Sequence, residues 1–193
     1  QQLDAKREGF SEGALAALRQ SDSVIGSLAD YVRVPDDHVI AIEAALGHHL
    51  QLVMTQSEKD TTNIINQLKE LGNGKASIAP VEFLTSSKHS SQSQLPEIPT
   101  GTCLASSVIT SKPEVEPFIR SLLGTTLIVS DLSQASVLWR ESNGNFDFVT
   151  TSGDLLTRHG VFTGGATGGD HKSTSILGRK NEIRELEQST QQL

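Results

Sequence analysis

The sequence predicts a mixed α/β chain of two similar lobes flanked by terminal helices, and three observations carry that prediction. A strand-helix-strand order occurs twice, with Leu46-Gly47 and Leu123-Gly124 standing 77 positions apart; the same offset relates Ile42 to Ile119 and Leu50 to Leu127. A polar, Ser-rich and Pro-punctuated stretch, Thr85 to Gly101, separates the two copies. The second copy closes on Phe146 to Gly169, where a strand-like pattern runs into a cluster of glycines and then into a charged helix.

The N-terminal segment, residues 1–21, is helix-permissive apart from Gly9 and Gly13, with Leu3 and Phe10 seven apart and Ala14, Leu15, Ala17 and Leu18 following. Lobe 1 is expected over residues 22–84. Ile25 to Val34 reads as a strand, Pro35-Asp36-Asp37 starts a helix that runs from His38 to Leu46, and Gly47 ends it. Leu50 to Met54 is a second strand, and Ser57 to Leu71 a second helix with Ile64, Ile65, Leu68 and Leu71 on one face. Residues 85–101 form the linker. Lobe 2, residues 102–171, repeats the order: a strand over Thr102 to Thr110, a helix over Val115 to Leu123, a strand at Leu127 to Val129 and a shorter helix over Ser133 to Arg140. Strand formers at Val149, Leu155, Leu156, Val161 and Phe162 then alternate with the turn signals Ser152-Gly153-Asp154 and Arg158-His159-Gly160. Residues 172–193 form the C-terminal helix, in which Ile176, Ile183 and Thr190 recur at seven and Leu186 and Leu193 take the interleaved register of a short heptad pattern.

At 193 residues the chain can bury a real core, and with 4% aromatic residues that core must be aliphatic, built on Ile42, Leu46, Ile64, Leu68, Ile119 and Leu123. The formal charge of -7 argues against a protein whose whole surface grips nucleic acid, although a local basic patch is compatible with it. Cys103 is the only cysteine, which excludes a disulfide framework and a thiolate metal cluster and favours a reducing compartment. No apolar run approaches the roughly 18 residues that span a bilayer, so no membrane partner is expected and the chain is placed in the cytoplasm. Met54 is the sole methionine, so Gln1 reads as the start of a piece of something longer.

Gly164, Gly165, Gly168 and Gly169 remove side chains over a short run, which lets another backbone or a phosphate approach. The phosphate reading, a nucleotide-binding enzyme, meets the wrong register. A P-loop needs Gly-Lys-Ser/Thr, whereas Asp170 and His171 separate Gly169 from Lys172-Ser173, and Asp170 places a negative charge where the phosphate would sit. His48 and His49 are adjacent and lack ligand spacing, Cys103 reads as a small core residue, and no triad assembles. No catalytic residue, metal site, cofactor or small-molecule substrate is expected.

Several stretches, in order, carry a resemblance. These are Gly26 to Val34 with the acidic turn after it, Ala41-Ile42-Glu43-Ala44-Ala45-Leu46-Gly47, Asn66-Gln67-Leu68-Lys69 before Gly74-Lys75-Ala76, Leu122 to Val129, Thr151-Ser152-Gly153-Asp154, and Gly160 to Gly165. Over about residues 22 to 170 the chain resembles the hinge domain of the structural maintenance of chromosomes (SMC) family, with stumps of the coiled-coil arm at both ends. The resemblance implies small mixed sheets and a dimerisation domain. In the family, strands from one lobe meet those of the other lobe of a partner hinge, so two equivalent contacts close a ring. It further implies a homodimer, a role in chromosome organisation and segregation at the nucleoid, and no catalysis, the ATPase lying in head domains elsewhere. Gly160, Gly164, Gly165, Gly168 and Gly169 are the expected interface residues, the alternative being that they only cap the last strand and start the final helix. A weak, sequence-independent DNA contact would fall to Arg158, Lys172, Arg179 and Lys180, a solvated helix face explaining Arg179 and Lys180 equally well.

Overall fold

The computed structural model describes residues 10–19, 23–86, 97–165 and 175–191. In chain order these give α1 (Glu12–Arg19), β1 (Val24–Ser27), α2 (Leu28–Tyr31), β2 (Val32–Arg33), α3 (Val39–Leu46), β3 (Val53–Thr55), α4 (Glu58–Leu71), β4 (Ile78–Pro80) and α5 (Val81–Ser86). They continue with β5 (Cys103–Leu104), β6 (Thr110–Ser111), α6 (Glu116–Leu123), β7 (Thr126–Val129), α7 (Leu132–Glu141), β8 (Asp147–Thr150), β9 (Leu155–Leu156), β10 (Phe162–Thr163) and α8 (Ile176–Gln191). Short 3-10 turns at Asp36–His38, Gly47–Gln51 and Ala105–Val108 complete the set. Most of the Ser-rich linker, residues 87–96, lies outside the described residues.

The repeat is real, and its strands are more broken than the apolar pattern predicts. The single strand expected over Ile25 to Val34 is β1, one helical turn and β2. The interruption has a local cause: Asp30 accepts from both the backbone N–H (2.8 Å) and the hydroxyl (2.7 Å) of Ser27, a reciprocal cap that starts α2 and lets Leu28 and Ala29 bury. The second copy breaks at the matching place, where a 3-10 turn separates β5 from β6.

In lobe 1 the sheet order is β1-β3-β4, with Ser27 opposite Val53; in lobe 2 Leu104 stands opposite Leu127. Val53, not Leu50, is therefore the counterpart of Leu127, and the 3-10 turn at Gly47–Gln51 absorbs the difference in spacing. In each lobe the middle strand then pairs in parallel with the next, β3 with β4 and β7 with β8. The crossover helices are capped alike: Ser57 accepts from the Asp60 N–H (3.3 Å) and Asp131 from the Gln134 N–H (2.8 Å). After the third strand the lobes diverge. Lobe 1 continues into α5, while lobe 2 adds β9 and β10, giving the order β10-β9-β8-β7-β5.

The lobes join through their equivalent strands. β2 pairs antiparallel with β6, Val32 opposite Ser111 and Arg33 opposite Thr110. The Lys112 N–H extends this ladder to the Tyr31 carbonyl (3.1 Å), and its ammonium lies 4.3 Å from the Tyr31 ring centre. One apolar cluster runs through both lobes, taking in Leu28, Ile42, Met54 and Ile64 with Ile119, Leu123, Ile128 and Val149; all six expected core residues are buried in it. A second, smaller cluster of Leu127, Val129, Phe146, Phe148 and Leu156 lies on the other face of the lobe 2 sheet, against Ala135 of α7.

Both terminal helices dock on lobe 1. α1 packs on α4, β1 and β3, and Gly13 is what admits it: a Cβ there would stand 2.1 Å from the Lys75 carbonyl oxygen. α8 packs on α2 and α3. Its buried Ile176 and Leu177 are accompanied by polar ties: the Leu177 N–H donates to Glu43 (2.6 Å), Asn181 to the Val34 carbonyl (2.9 Å) and Asp36 (2.8 Å), Arg184 to the Val32 carbonyl (3.3 Å), and Lys180 to Asp30.

These ties set the charge states at the helix root. Burial pushes the Asp30 carboxyl up, but the Lys180 ammonium and the Ser27 hydrogen bonds outweigh it and hold Asp30 below its ordinary value. Glu43 goes the other way, because burial outweighs the N–H donors of Leu177 and Ile176 and raises it.

A depressed carboxyl stabilises the fold above its unfolded-state pKa and loses that contribution as pH falls through the native value, so Asp30→Asn lowers the melting temperature near neutrality and flattens the acid limb of a profile between about pH 3 and 7. A raised carboxyl works in the opposite sense, its contribution disappearing as pH rises through the native value; Glu43→Gln, which still accepts the Leu177 N–H, is expected to leave neutral-pH stability equal or higher in the same melts. In urea titrations Ile42→Ala, cut into the cluster shared by both lobes, costs about 2–5 kcal/mol in a single transition, whereas Leu71→Ala on the exposed end of α4 stays within about 0.5 kcal/mol.

Candidate functional site

The glycine-containing hairpin is built from its turns outward. Between β8 and β9, Thr150 donates its N–H to the Asp154 carbonyl (2.8 Å) and Gly153 donates back to Thr150 (3.0 Å), which folds the expected Ser152-Gly153-Asp154 turn. Between β9 and β10, the Thr157 N–H reaches the Val161 carbonyl (2.9 Å) and the Gly160 N–H the Thr157 carbonyl (2.9 Å). Gly160 sits at φ +77°, a region that a side chain rarely adopts, so its first task is the turn itself. The turn rests on Trp139, whose indole N–H donates to the Arg158 carbonyl (3.1 Å). Arg158 clamps it from the other side. Its guanidinium holds Asp147 through Nε (3.1 Å) and Nη2 (2.5 Å) and donates to Thr125 Oγ1 (2.6 Å), while its own N–H donates to Asp147 Oδ1 (2.7 Å).

A turn fixed this firmly presents β10 as the outer strand of its sheet. Phe162 and Thr163 pair with Leu156 and Leu155 on one side, and among the described residues no strand pairs on the other. Val161 (55% exposed) and Phe162 (57%) stand on this edge, an uncommon placement for a valine and a phenylalanine on an edge strand. Gly164 and Gly165 follow directly. A Cβ on Gly164 would meet Asp154 Oδ1 at 2.2 Å, and the same oxygen accepts the Gly165 N–H (3.3 Å), whose residue lies at φ +118°. The glycines thus lie flat against an acidic side chain of their own hairpin.

Of the expected interface residues, Gly160 lies in the turn before β10 against Trp139, and Gly164 and Gly165 directly follow the strand; Gly168 and Gly169 lie outside the described residues. The expected cations are not gathered into one patch. Lys172 lies outside the described residues, Arg158 clamps Asp147, and Lys180, expected on a solvated face, is 9% exposed with its ammonium on Asp30. A solvated patch therefore gives way to internal ion pairs at Arg158 and Lys180, for a physical reason: each has a carboxylate within reach, and Lys180 sits on the face of α8 that docks on lobe 1. Arg179 is half-buried on the same helix.

Two open cavities line α8, the larger of about 340 Å³ bounded by Arg33, Asp36, Thr110, Asn181 and Arg184, away from the glycine edge. Among the described residues no group of three His, Cys, Asp or Glu side chains is placed to hold a metal ion. His48 and His49 have ring centres 4.0 Å apart at the 3-10 turn that follows α3, and Cys103 is half-buried in β5. Sequence reading missed three contributors to this site. Trp139 and Asp147 carry no local signal for the roles they play, since their partner, Arg158, is far along the chain. Asp154 reads as a turn residue, and only the fold shows its carboxylate beneath the glycines.

Comparison with known proteins agrees with this architecture. The family model described as "SMC proteins Flexible Hinge Domain" matches residues 21–139. The chromosome partition protein Smc of Desulfitobacterium hafniense is 30% identical over 189 residues, a match that covers 96% of this chain and 16% of that protein. Its namesake in Bacillus subtilis is 30% identical over 183 residues, covering 92% of this chain and 15% of that protein. The chain thus spans about 16% of the length of the relatives that it matches. The crystal structure of an asymmetric dimer of the Geobacillus stearothermophilus SMC hinge domain superposes with a TM-score of 0.79 at 25% identity, covering 99% of this chain and 78% of that one. The Pyrococcus furiosus SMC hinge domain shares the fold, with a TM-score of 0.61 at 23% identity over 88% of this chain and 90% of that one. The chain belongs to the family of SMC flexible hinge domains.

Proposed function

We propose that this chain is a dimerisation hinge that joins two copies of a longer SMC protein through the β10 edge. The observation that carries the reading is an edge strand whose outer side meets no strand among the described residues, with Val161 and Phe162 exposed and two glycines directly after it. Such an edge offers a row of backbone donors and acceptors, and glycines allow a second backbone to approach.

The internal repeat suggests where a partner's edge would dock. In lobe 2 the outer side of β8 is occupied by β9, whereas the outer side of its counterpart β4 has no strand among the described residues. Phe83, 52% exposed on α5 immediately after β4, adds apolar surface there. β10 of one copy on β4 of the other, repeated by two-fold symmetry, gives two equivalent contacts and a closed homodimer. In this role Gly160 shapes the turn and Gly164 and Gly165 lie at the contact. The domain so read is an association module without catalysis of its own, acting in the cytoplasm at the nucleoid within a protein of chromosome partition. Arg158 and Lys180 hold carboxylates of their own chain, which argues against a DNA contact through them.

Sedimentation equilibrium tests the reading. The wild-type chain is expected to be a dimer at micromolar concentration, and the double variant Val161→Glu/Phe162→Glu a folded monomer with unchanged emission from Trp139, the sole tryptophan. Phe83→Glu is expected to weaken the dimer from the opposite side. Mixing the two variants then restores association, because each hybrid dimer keeps one intact contact. A monomeric wild type, or a mixture that does not associate, would sink the proposed pairing.

A further inference from the structure

The glycine pair is usually read as space left for a partner, yet Gly164 faces inward. A Cβ on Gly164 would meet Asp154 Oδ1 at 2.2 Å, Cγ at 3.0 Å and Cβ at 3.2 Å, all within the same chain. Asp154 is itself held on several sides. Its N–H donates to Thr150 Oγ1 (2.9 Å), its Oδ2 accepts from Ser152 Oγ (2.9 Å) and Thr150 Oγ1 (3.3 Å), and Oδ1 turns to the Gly165 N–H (3.3 Å). Thr150 is buried at the end of β8, so the carboxylate is anchored to the sheet. Neutral donors satisfy it, and one of them is the backbone that follows the edge strand.

We infer that Asp154 is a positioning residue for association: its carboxylate fixes the course of Gly164–Gly165 and so sets the β10 edge in the geometry that a second copy of this chain meets. The inference rests on the dimer reading and goes beyond it. It says that residue 164 must be glycine because of Asp154, with the partner as the indirect beneficiary. Two consequences separate it from a general structural role. Removing the carboxylate frees the Gly165 amide and weakens association while the monomer fold stays intact. Removing the whole Asp154 side chain also makes room for a methyl group at 164, so the two substitutions compensate each other.

The experiment is a double-mutant cycle read by sedimentation equilibrium, with Gly165 amide exchange followed by NMR and thermal melts as a fold control. Asp154→Ala is expected to weaken the dimer by about tenfold to a hundredfold, the cost of ordering the freed Gly165 backbone again at each of two symmetry-related contacts, and to speed Gly165 exchange. Asp154→Asn, which keeps an acceptor at the same place, is expected within about threefold of wild type. Gly164→Ala alone weakens the dimer, and Asp154→Gly/Gly164→Ala is expected to dimerise better than Gly164→Ala. An Asp154→Ala variant that dimerises like wild type, or a double variant no better than Gly164→Ala, overturns the inference while leaving the dimer reading standing. A wild type that is monomeric overturns the dimer reading itself, and Gly165 exchange that Asp154→Ala leaves unchanged independently overturns the hydrogen bond on which the positioning rests.

Discussion

Two residues on each side, Val32-Arg33 against Thr110-Ser111, hold the two halves of this chain in one fold. The pairing joins equivalent strands of an internal repeat, so it has the self-complementary form of a two-fold contact, made within one chain. Its ladder is short, and packing does most of the holding. Val32 is buried, its carbonyl accepts from Arg184 of α8, and the apolar cluster passes from Ile42 and Leu46 in α3 to Ile119 and Leu123 in α6. Breaking the strand pair would open that cluster, which is why the lobes behave as one core and not as two beads on a linker.

A symmetric pairing at the centre makes the asymmetry at the ends informative. Both lobes carry the same three strands and the same capped crossover helix, then part company after β4 and β8. One copy adds a helix and, among the described residues, has no strand on the outer side of β4; the other adds a hairpin and ends in an edge with exposed apolar residues. Lobe 2 carries a hairpin where lobe 1 carries a helix, so in the proposed dimer the hairpin of one copy fills the place that lobe 1 of the other leaves. Two such contacts satisfy both molecules at once.

Much of this was legible in the sequence, and the failures have specific causes. The offset between Leu46-Gly47 and Leu123-Gly124 locates α3 and α6 because a glycine after an apolar helical run is a reliable stop. The apolar pattern predicts longer strands than form, since Leu28 and Ala29 are as apolar as a strand residue and only the Ser27–Asp30 spacing signals the helical turn that starts there. Leu50 was matched to Leu127 because a constant offset cannot show a local insertion; the register with Ser27 shows that Val53 is the true mate. The fates of Lys180 and Arg158 were not legible at all. Whether a cation faces solvent or a carboxylate depends on a partner 150 residues away for Lys180 and 11 away for Arg158, and no local pattern encodes that choice.

The placement of the helices adds a mechanical constraint to the association reading. α1 and α8 both seat on lobe 1, α1 on α4, β1 and β3, and α8 on α2 and α3. The β10 edge belongs to lobe 2, behind the clamp of Arg158 and the indole of Trp139. A displacement of α8 reaches lobe 2 through α3, which packs directly on β8, as well as through the β2–β6 pair and the shared apolar cluster. Close-packed interiors transmit such displacements with little loss, so the ties of α8 to Glu43, Asp30 and Val34 make the seat of the helix and the geometry of the distant edge parts of one rigid path. In a two-fold dimer built on that edge, the β10 contact of each copy falls on lobe 1 of the other, so each pair of terminal helices stands on the lobe that receives the partner's strand.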